Sequence, residues 1–257
     1  MYSLGVKRRI ALFANSLAGI EIANYLDTKD EIVLLFLANQ YPEIDEKIKK
    51  SLANQKNLEV HYGDLRSDLE GYVQLFKSLN IEATITVYWP YLIPGEVIEH
   101  CGLTVNFHPA FLPMNKGWHP HVYNILEGSQ AGVTLHELSK YIDGGNIWAQ
   151  KKMSVHPWEC ASDLYARLQS EIVDLFKDNW IKIKNGEITA YPQPSEKSSY
   201  NSKTKIDSLD RINLSEEKTV GQVINLLRAR TFGEKGYAYY EVDGVKISIR
   251  VVLEEIN

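Results

Sequence analysis

The chain is poor in cysteine: Cys101 and Cys160 are its two thiols in 257 residues. Two thiols at that spacing match no zinc or redox motif and build no disulfide framework, so a reduced, cytosolic protein is expected. Long apolar runs are absent. Nothing approaches the ~20 residues needed to cross a bilayer. The apolar stretch 10–14 behind Lys7, Arg8 and Arg9 is too short for the core of a signal peptide. A soluble, cytoplasmic protein with no membrane partner is therefore expected. Basic charge is not in excess: 28 Lys and Arg face 33 Asp and Glu, a net charge of -5. That excludes a general affinity for nucleic acid, which needs a basic face, but leaves room for a local patch that binds small anions. Glycine-rich nucleotide loops are missing too. The turn 15–19 carries a single glycine, and there is no Walker A run and no Gly-x-Ser-x-Gly elbow.

What is present is an alternation of strand and helix patterns. Segments 9–15, 31–38, 58–62, 83–88 and 103–107 read as strands, the fourth rich in β-branched residues. Between them, 20–26, 44–52, 69–79 and 94–100 read as helices, the first after a turn at 16–19 and the last opened by Pro94. Strands separated by helices imply an α/β fold with a mostly parallel sheet and helices on both faces. Ligands of such sheets sit beyond the carboxyl ends of the strands. Segment 107–132 is poorly periodic and rich in His, Pro, Gly and Trp, which reads as a long functional loop. Strands are expected at 132–138 and 147–155, and a strong amphipathic helix at 160–180, capped by Ser162 or Asp163. The polar segment 191–205 reads as a linker. A helix at 219–230 follows, then two alternating strands, 237–242 and 245–251, joined by Asp243-Gly244 in a hairpin. A boundary near 190 divides the chain into 1–190 and a small C-terminal region, 191–257.

Asn106 and His108 flank Phe107 at the end of the fifth strand, and a spacing of two puts both on one face. An amide donor beside an imidazole suits a reaction in which an oxyanion develops and a proton moves. Taken alone, the pair also reads as a capping Asn and an incidental His. Asp143 precedes Gly144-Gly145, a turn that brings backbone close to a ligand; a carboxylate there can orient a histidine, or simply form a surface Asx turn. Four of the seven histidines, 108, 119, 121 and 136, fall within 29 residues. The His-x-His at 119 and 121 spans a proline, and no carboxylate or thiol stands at a zinc-ligand spacing, so no metal is expected and these histidines read as pocket walls or core.

The run NFHPAFLPMNKG (106–117), followed by GVTLHELSKYIDGG (132–145), Ile147 and Gln150, resembles the formyltransferases that use 10-formyltetrahydrofolate. Glycinamide ribonucleotide and methionyl-tRNA formyltransferases are members. Beyond 190, SSYNSKTKIDSLDRINLSE, the Arg228-Ala229 to Thr231-Phe232 element and 236–240 look like the sugar N-formyltransferases that modify nucleotide-linked amino sugars. Ser198-Ser199-Tyr200-Asn201 stands where that group has a Gly-Thr-Tyr-His-like run. The C-terminal region is too short for an RNA-binding appendage, and the acidic charge fits an RNA substrate poorly. The resemblance implies the formyltransferase fold, Rossmann-like, with 1–190 as the catalytic domain and a C-terminal β-hairpin.

It also implies an activity: formyl transfer from 10-formyltetrahydrofolate to the primary amine of a nucleotide-diphosphate amino-dideoxy sugar, for a lipopolysaccharide O-antigen or related surface glycan. The implied catalytic set is Asn106, His108 and Asp143, with no metal required. The implied folate wall is Tyr88, Trp89, Tyr91, Leu92, Ile93 and Pro94, closed by Leu138 and Ile142; the same loop reads otherwise as apolar packing under the sheet. Lys116, Arg228 and Arg230 are candidates for the diphosphate, or else surface charges, and Trp89, Trp118, Tyr200 and Phe232 for the base. The hairpin is a candidate homodimer element. The alternatives are a hydrolase of the formyl donor, a formyltransferase acting on another small amine, and a non-catalytic ligand-binding protein.

Overall fold

The computed structural model describes residues 7–194 and 198–256, so 1–6 at the start of the chain and 195–197 of the expected linker lie outside it. Strand β1 (Arg9–Ala14) leads into α1 (Ser16–Asp27), and β2 (Glu31–Leu37) into α2 (Pro42–Ser51). Strand β3 (Glu59–Tyr62) leads into α3 (Leu69–Leu79), and β4 (Ala83–Val87) into the one-turn α4 (Gly95–Ile98) and β5 (Leu103–His108). These five strands pair in parallel in the order β3-β2-β1-β4-β5. β1, β2 and β4 are near-continuous apolar runs because both faces of a parallel sheet are covered. Phe13 stacks on Phe36 at 4.4 Å, Phe76 lies 6.2 Å from each, and Trp89 meets Phe13 edge-on at 5.0 Å.

The chain continues through β6 (Lys116–Gly117), α5 (Pro120–Glu127), β7 (Ala131–His136), β8 (Ile147–Met153) and α6 (Ala161–Lys184). Strand β7 joins β5 antiparallel and β8 follows it, completing a seven-stranded, mostly parallel sheet. Then come β9 (Tyr200–Asn201), α7 (Val220–Ala229), β10 (Thr231–Phe232), β11 (Lys235–Gly236), and β12 (Tyr239–Val242), which pairs antiparallel with β13 (Val245–Ser248) around Asp243-Gly244. Among the described residues no helix is long and apolar enough to cross a membrane.

Several elements differ from the sequence reading. Helix α1 begins at Ser16, not 20, because Asn15 caps it: its Oδ1 accepts the Ser16 N–H at 2.9 Å. The expected loop 107–132 contains α5, whose residues Pro120 to Ile125 are all buried. A helix buried all round shows no polar stripe, which is why periodicity passed over it. At the start of α6 Asp163 does cap, from inside the first turn, accepting the Cys160 N–H at 2.9 Å. The expected linker is structured at both ends: Tyr191 bridges to Ile147, and Tyr200 and Asn201 pair in parallel with Lys116 and Gly117. By compactness the chain forms two units, each made of several segments. One holds the chain up to His108, Thr134–Gln150 and Ser170–Gln193; the other holds Pro109–Val133, Lys151–Gln169 and the chain from Pro194 onward.

Candidate active site

In the first unit, β5 presents Asn106 and His108 on one face while Phe107 turns to the other and packs on Phe176, ring centroids 5.1 Å apart. The neighbouring strands set what lies beside them. Register pairs Thr86 of β4 with Asn106, and β7 sets His136 opposite Asn106 and Thr134 opposite His108. Asn106 Oδ1 accepts the Thr86 hydroxyl at 2.5 Å, and Asn106 Nδ2 lies 2.9 Å from His136 Nε2. His108 Nδ1 is 3.4 Å from Asp143 Oδ2, and His136 Nε2 is 3.7 Å from Asp143 Oδ1. Asn106, His108 and Asp143 are therefore brought together, with both imidazoles buried and the Asp143 side chain 12% exposed.

Asp143 is presented by a tightly closed turn and takes a positive φ of 48°. Glu137 N–H donates to Asn146 O at 2.8 Å, and Asn146 Nδ2 to Glu137 Oε2 at 2.8 Å. Gly145 passes so close to Glu137 that a Cβ would stand 1.8 Å from its carbonyl oxygen. Gln193 Nε2 donates to both Asp143 O (2.7 Å) and Gly145 O (2.8 Å), tying the turn from a third direction.

The expected folate wall divides. Trp89 packs among the core phenylalanines, Ile93 is buried there, and Leu138 covers the same cluster. Tyr91 lies against Trp89 at 5.4 Å and its hydroxyl donates to Ala38 O at 3.4 Å. Pro94 is the N-cap of α4, and Tyr88 takes a positive φ of 53°. Leu92 and Ile142 are exposed, as is Tyr141.

In the second unit, β6 and β9 hold the expected nucleotide residues. Lys116 pairs with Tyr200, whose ring fills the space over Gly117: a Cβ there would meet it at 2.8 Å. The Lys203 ammonium sits 4.8 Å over the Trp118 ring. Phe232 lies 6.3 Å from His121 and 5.9 Å from Tyr165. Arg228 does not turn outward. It is buried and donates to Glu159 O (2.9 Å), His156 O (2.6 Å) and Asn225 Oδ1 (3.0 Å), which makes it an internal tie. Arg230 is buried against Asp210, Nε to Oδ1 2.6 Å, and its guanidinium stacks on Tyr237. Burial, with His119 and Arg230 close by, pushes His121 down to about 3, so it stays neutral. His119 is lowered for the same first reason. Among the described residues no group of three or more His, Cys, Asp and Glu is placed to hold a metal ion.

Comparison with known proteins places the chain in a family. Residues 28–177 match the profile described as formyl transferase, which is more than half of the chain. The chain belongs to the formyl transferase family. Residues 205–255 of this formyl transferase match a second profile, the N-formyltransferase dimerization C-terminal domain. Over 151 residues it is 36% identical to the dTDP-4-amino-4,6-dideoxyglucose formyltransferase of Mycobacterium bovis. That match covers 58% of this chain and 64% of the relative, just under two thirds of the relative's length. A 4-N formyltransferase structure from Francisella tularensis superposes with a TM-score of 0.83 at 25% identity, covering 97% of this chain and 99% of that one. A formyltransferase from Anoxybacillus kamchatkensis, solved with UDP-4,6-dideoxy-4-formamido-L-AltNAc and tetrahydrofolate, superposes at 0.52 with 25% identity, over 68% and 88%. The sequence had set His136 among wall histidines, and nothing in it singled out Thr86 or Gln193; cross-strand register and a returning segment bring these three to the site.

Proposed function

We propose that this formyl transferase moves the formyl group of 10-formyltetrahydrofolate to the primary amine of a nucleotide-diphosphate amino-dideoxy sugar. One observation carries the reading: Asn106 and His108 share a strand face, and Asp143 stands 3.4 Å from His108 Nδ1. The relative that acts on a dTDP amino sugar and the neighbour solved with a UDP sugar and tetrahydrofolate support the substrate class. As the amine adds to the formyl carbon, the formyl oxygen gains charge. The Asn106 amide and the His108 ring are the donors placed to meet it, each worth ~10²–10³-fold when preorganised. His108 turns its Nδ1 side to Asp143, and that carboxylate orients the ring and stabilises it when it is charged. The amine proton passes to this pair, the intermediate collapses with cleavage of the bond from the formyl carbon to the folate N10, and tetrahydrofolate leaves with a proton on that nitrogen; positioned proton transfer of this kind contributes ~10²–10⁴-fold. Exposed Leu92 and Ile142 supply apolar surface suited to a pterin face. Lys116 and Lys203, with Trp118, Tyr200 and Phe232, supply cation and aromatic groups suited to a diphosphate and base.

We place the reaction in the cytoplasm, in keeping with two free cysteines, and its product in a surface glycan such as O-antigen. The assembly is a homodimer through the C-terminal region, where Val242, Val245 and Ile247 of the hairpin expose apolar surface. The test is to incubate the protein with 10-formyltetrahydrofolate and dTDP-4-amino-4,6-dideoxyglucose and read the product by mass. A gain of one formyl group, abolished in His108→Ala, is expected. Formate released at the same rate without any amine would identify a hydrolase instead. Light scattering that returns the monomer mass at working concentration would refute the dimer.

A further inference from the structure

One backbone carbonyl determines which way the Asn106 amide faces. Glu137 O lies 2.7 Å from His136 Nδ1. A carbonyl only accepts, so Nδ1 carries the proton, and in the neutral ring Nε2 is an acceptor. Nε2 lies 2.9 Å from the Asn106 side-chain amide, and as an acceptor it meets the NH2 group there, Nδ2, rather than the oxygen. The other end follows: Oδ1 points at Thr86 and accepts the Thr86 hydroxyl proton at 2.5 Å. Reversing the amide would set its oxygen against the lone pair of His136 Nε2. Thr86 is 1% and His136 2% exposed, so water has little access to either partner. Both stand in register with Asn106, one on each neighbouring strand, and the clamp is therefore as rigid as the sheet.

We infer that Thr86 and His136 are positioning residues for formyl transfer: they hold the Asn106 amide in one orientation, one N–H on His136 and the second directed at the oxygen that becomes negative. The inference rests on the formyl-transfer reading. Thr86 acts through Asn106, and His136 through Asn106 with Asp143 3.7 Å from the same ring nitrogen. An amide fixed before the reaction needs no reorganisation as charge develops, and that fixed orientation is the source of its catalytic value. Thr86 tests this directly, because valine has nearly the same shape and strand preference but no proton to donate.

The experiment compares kcat and KM of the full chain with Thr86→Val, Thr86→Ser, Asn106→Ala and the Thr86→Val/Asn106→Ala double variant, using 10-formyltetrahydrofolate and dTDP-4-amino-4,6-dideoxyglucose. Thr86→Val is expected to lower kcat ~10-fold or more with both KM values unchanged, and Thr86→Ser to restore most of it. The double variant is expected to be no slower than Asn106→Ala alone, since the clamp then has nothing to hold. Thermal unfolding shows whether each variant is folded. Should Thr86→Val fail to fold, Thr86→Ala, which also lacks the donor, replaces it in the cycle. Wild-type turnover by the folded donor-less variant beside an inactive Asn106→Ala would overturn the inference and leave the formyl-transfer reading standing. A donor-less variant that slows the Asn106→Ala background by the same factor as wild type would overturn it too, by showing that Thr86 acts elsewhere. If Asn106→Ala itself turns over normally, the catalytic reading fails first.

Discussion

Replacing Gly145 with alanine tests how strictly the turn must present Asp143. The added Cβ would stand 1.8 Å from Glu137 O, whereas ordinary contact starts at 3.4 Å, so the backbones must part by about 1.6 Å. Glu137 O is also the atom that accepts from His136 Nδ1, and Gly145 O is one of the two carbonyls held by Gln193. Parting them moves the segment carrying Asp143, whose oxygen is already 3.4 Å from His108, beyond hydrogen-bond reach. A misplacement of about 1 Å commonly loses ~10²-fold in rate, and that drop in kcat is expected here. Overpacking of this kind destabilises by ~1–3 kcal/mol, which for a chain of this size lowers the melting temperature by ~2–12 °C. Steady-state formyl-transfer kinetics well below the transition separate the two effects. Gly221→Ala in α7 is the control: nothing lies within 4 Å of its Cβ, and alanine is favoured in a helix, so normal turnover and equal or better stability are expected. A folded Gly145→Ala protein with kcat within ~3-fold of wild type would refute the reasoning, since no 1.6 Å displacement of a proton-handling group is so cheap.

Three further outcomes follow from groups outside the site. Asp30 is fully buried and accepts from Lys184 Nζ (2.8 Å), Trp180 Nε1 (2.7 Å) and the Arg8 N–H (3.0 Å). Asp30→Ala strands a buried ammonium and is expected to lose ~3–5 kcal/mol in urea unfolding. Lys184→Met should lose less, because Asp30 keeps two donors; equal damage from both would contradict the assignment. Asp45, buried in α2, has its pKa raised chiefly by desolvation. The folded chain thus prefers its neutral form, so the group favours folding at low pH and opposes it as pH climbs above the ordinary carboxylate range. Asp45→Asn should raise stability at pH 7 and flatten that slope in unfolding curves from pH 3 to 7; a less stable variant at pH 7 would count against it. Burial pushes the Cys101 thiol up to about 12. A thiol-disulfide reagent at pH 8 should therefore leave Cys101 unmodified in the native chain and react with it in denaturant, with peptide mass mapping as the readout.

Many of the elements are written locally. The apolar runs of β1, β2 and β4, the helix 69–79, the Thr219 cap with Gln222 of α7 and the Asp-Gly hairpin each follow from a few adjacent residues whose period, cap or turn has one stable form. The same locality put Asn106 and His108 on one face, because alternation along a strand needs no partner. Pairing was not legible. That β7 runs antiparallel beside β5 is what carries His136 to Asn106 and the Asp143 turn to His108, and no period within β7 records which strand it will meet. Burial direction was not legible either: Arg228 reads as a diphosphate ligand or a surface cation but is drawn inside by Asn225 of its own helix and by two carbonyls of a distant segment, and the packing of Trp89 on the phenylalanine core depends on residues far along the chain. The sequence by itself determined the elements and the residue types able to handle a formyl oxygen and a proton, since both depend on neighbours in the chain. The tertiary structure alone decided which of those groups meet and how they are oriented, because hydrogen bonds and packing between distant segments form only after the strands have chosen their partners.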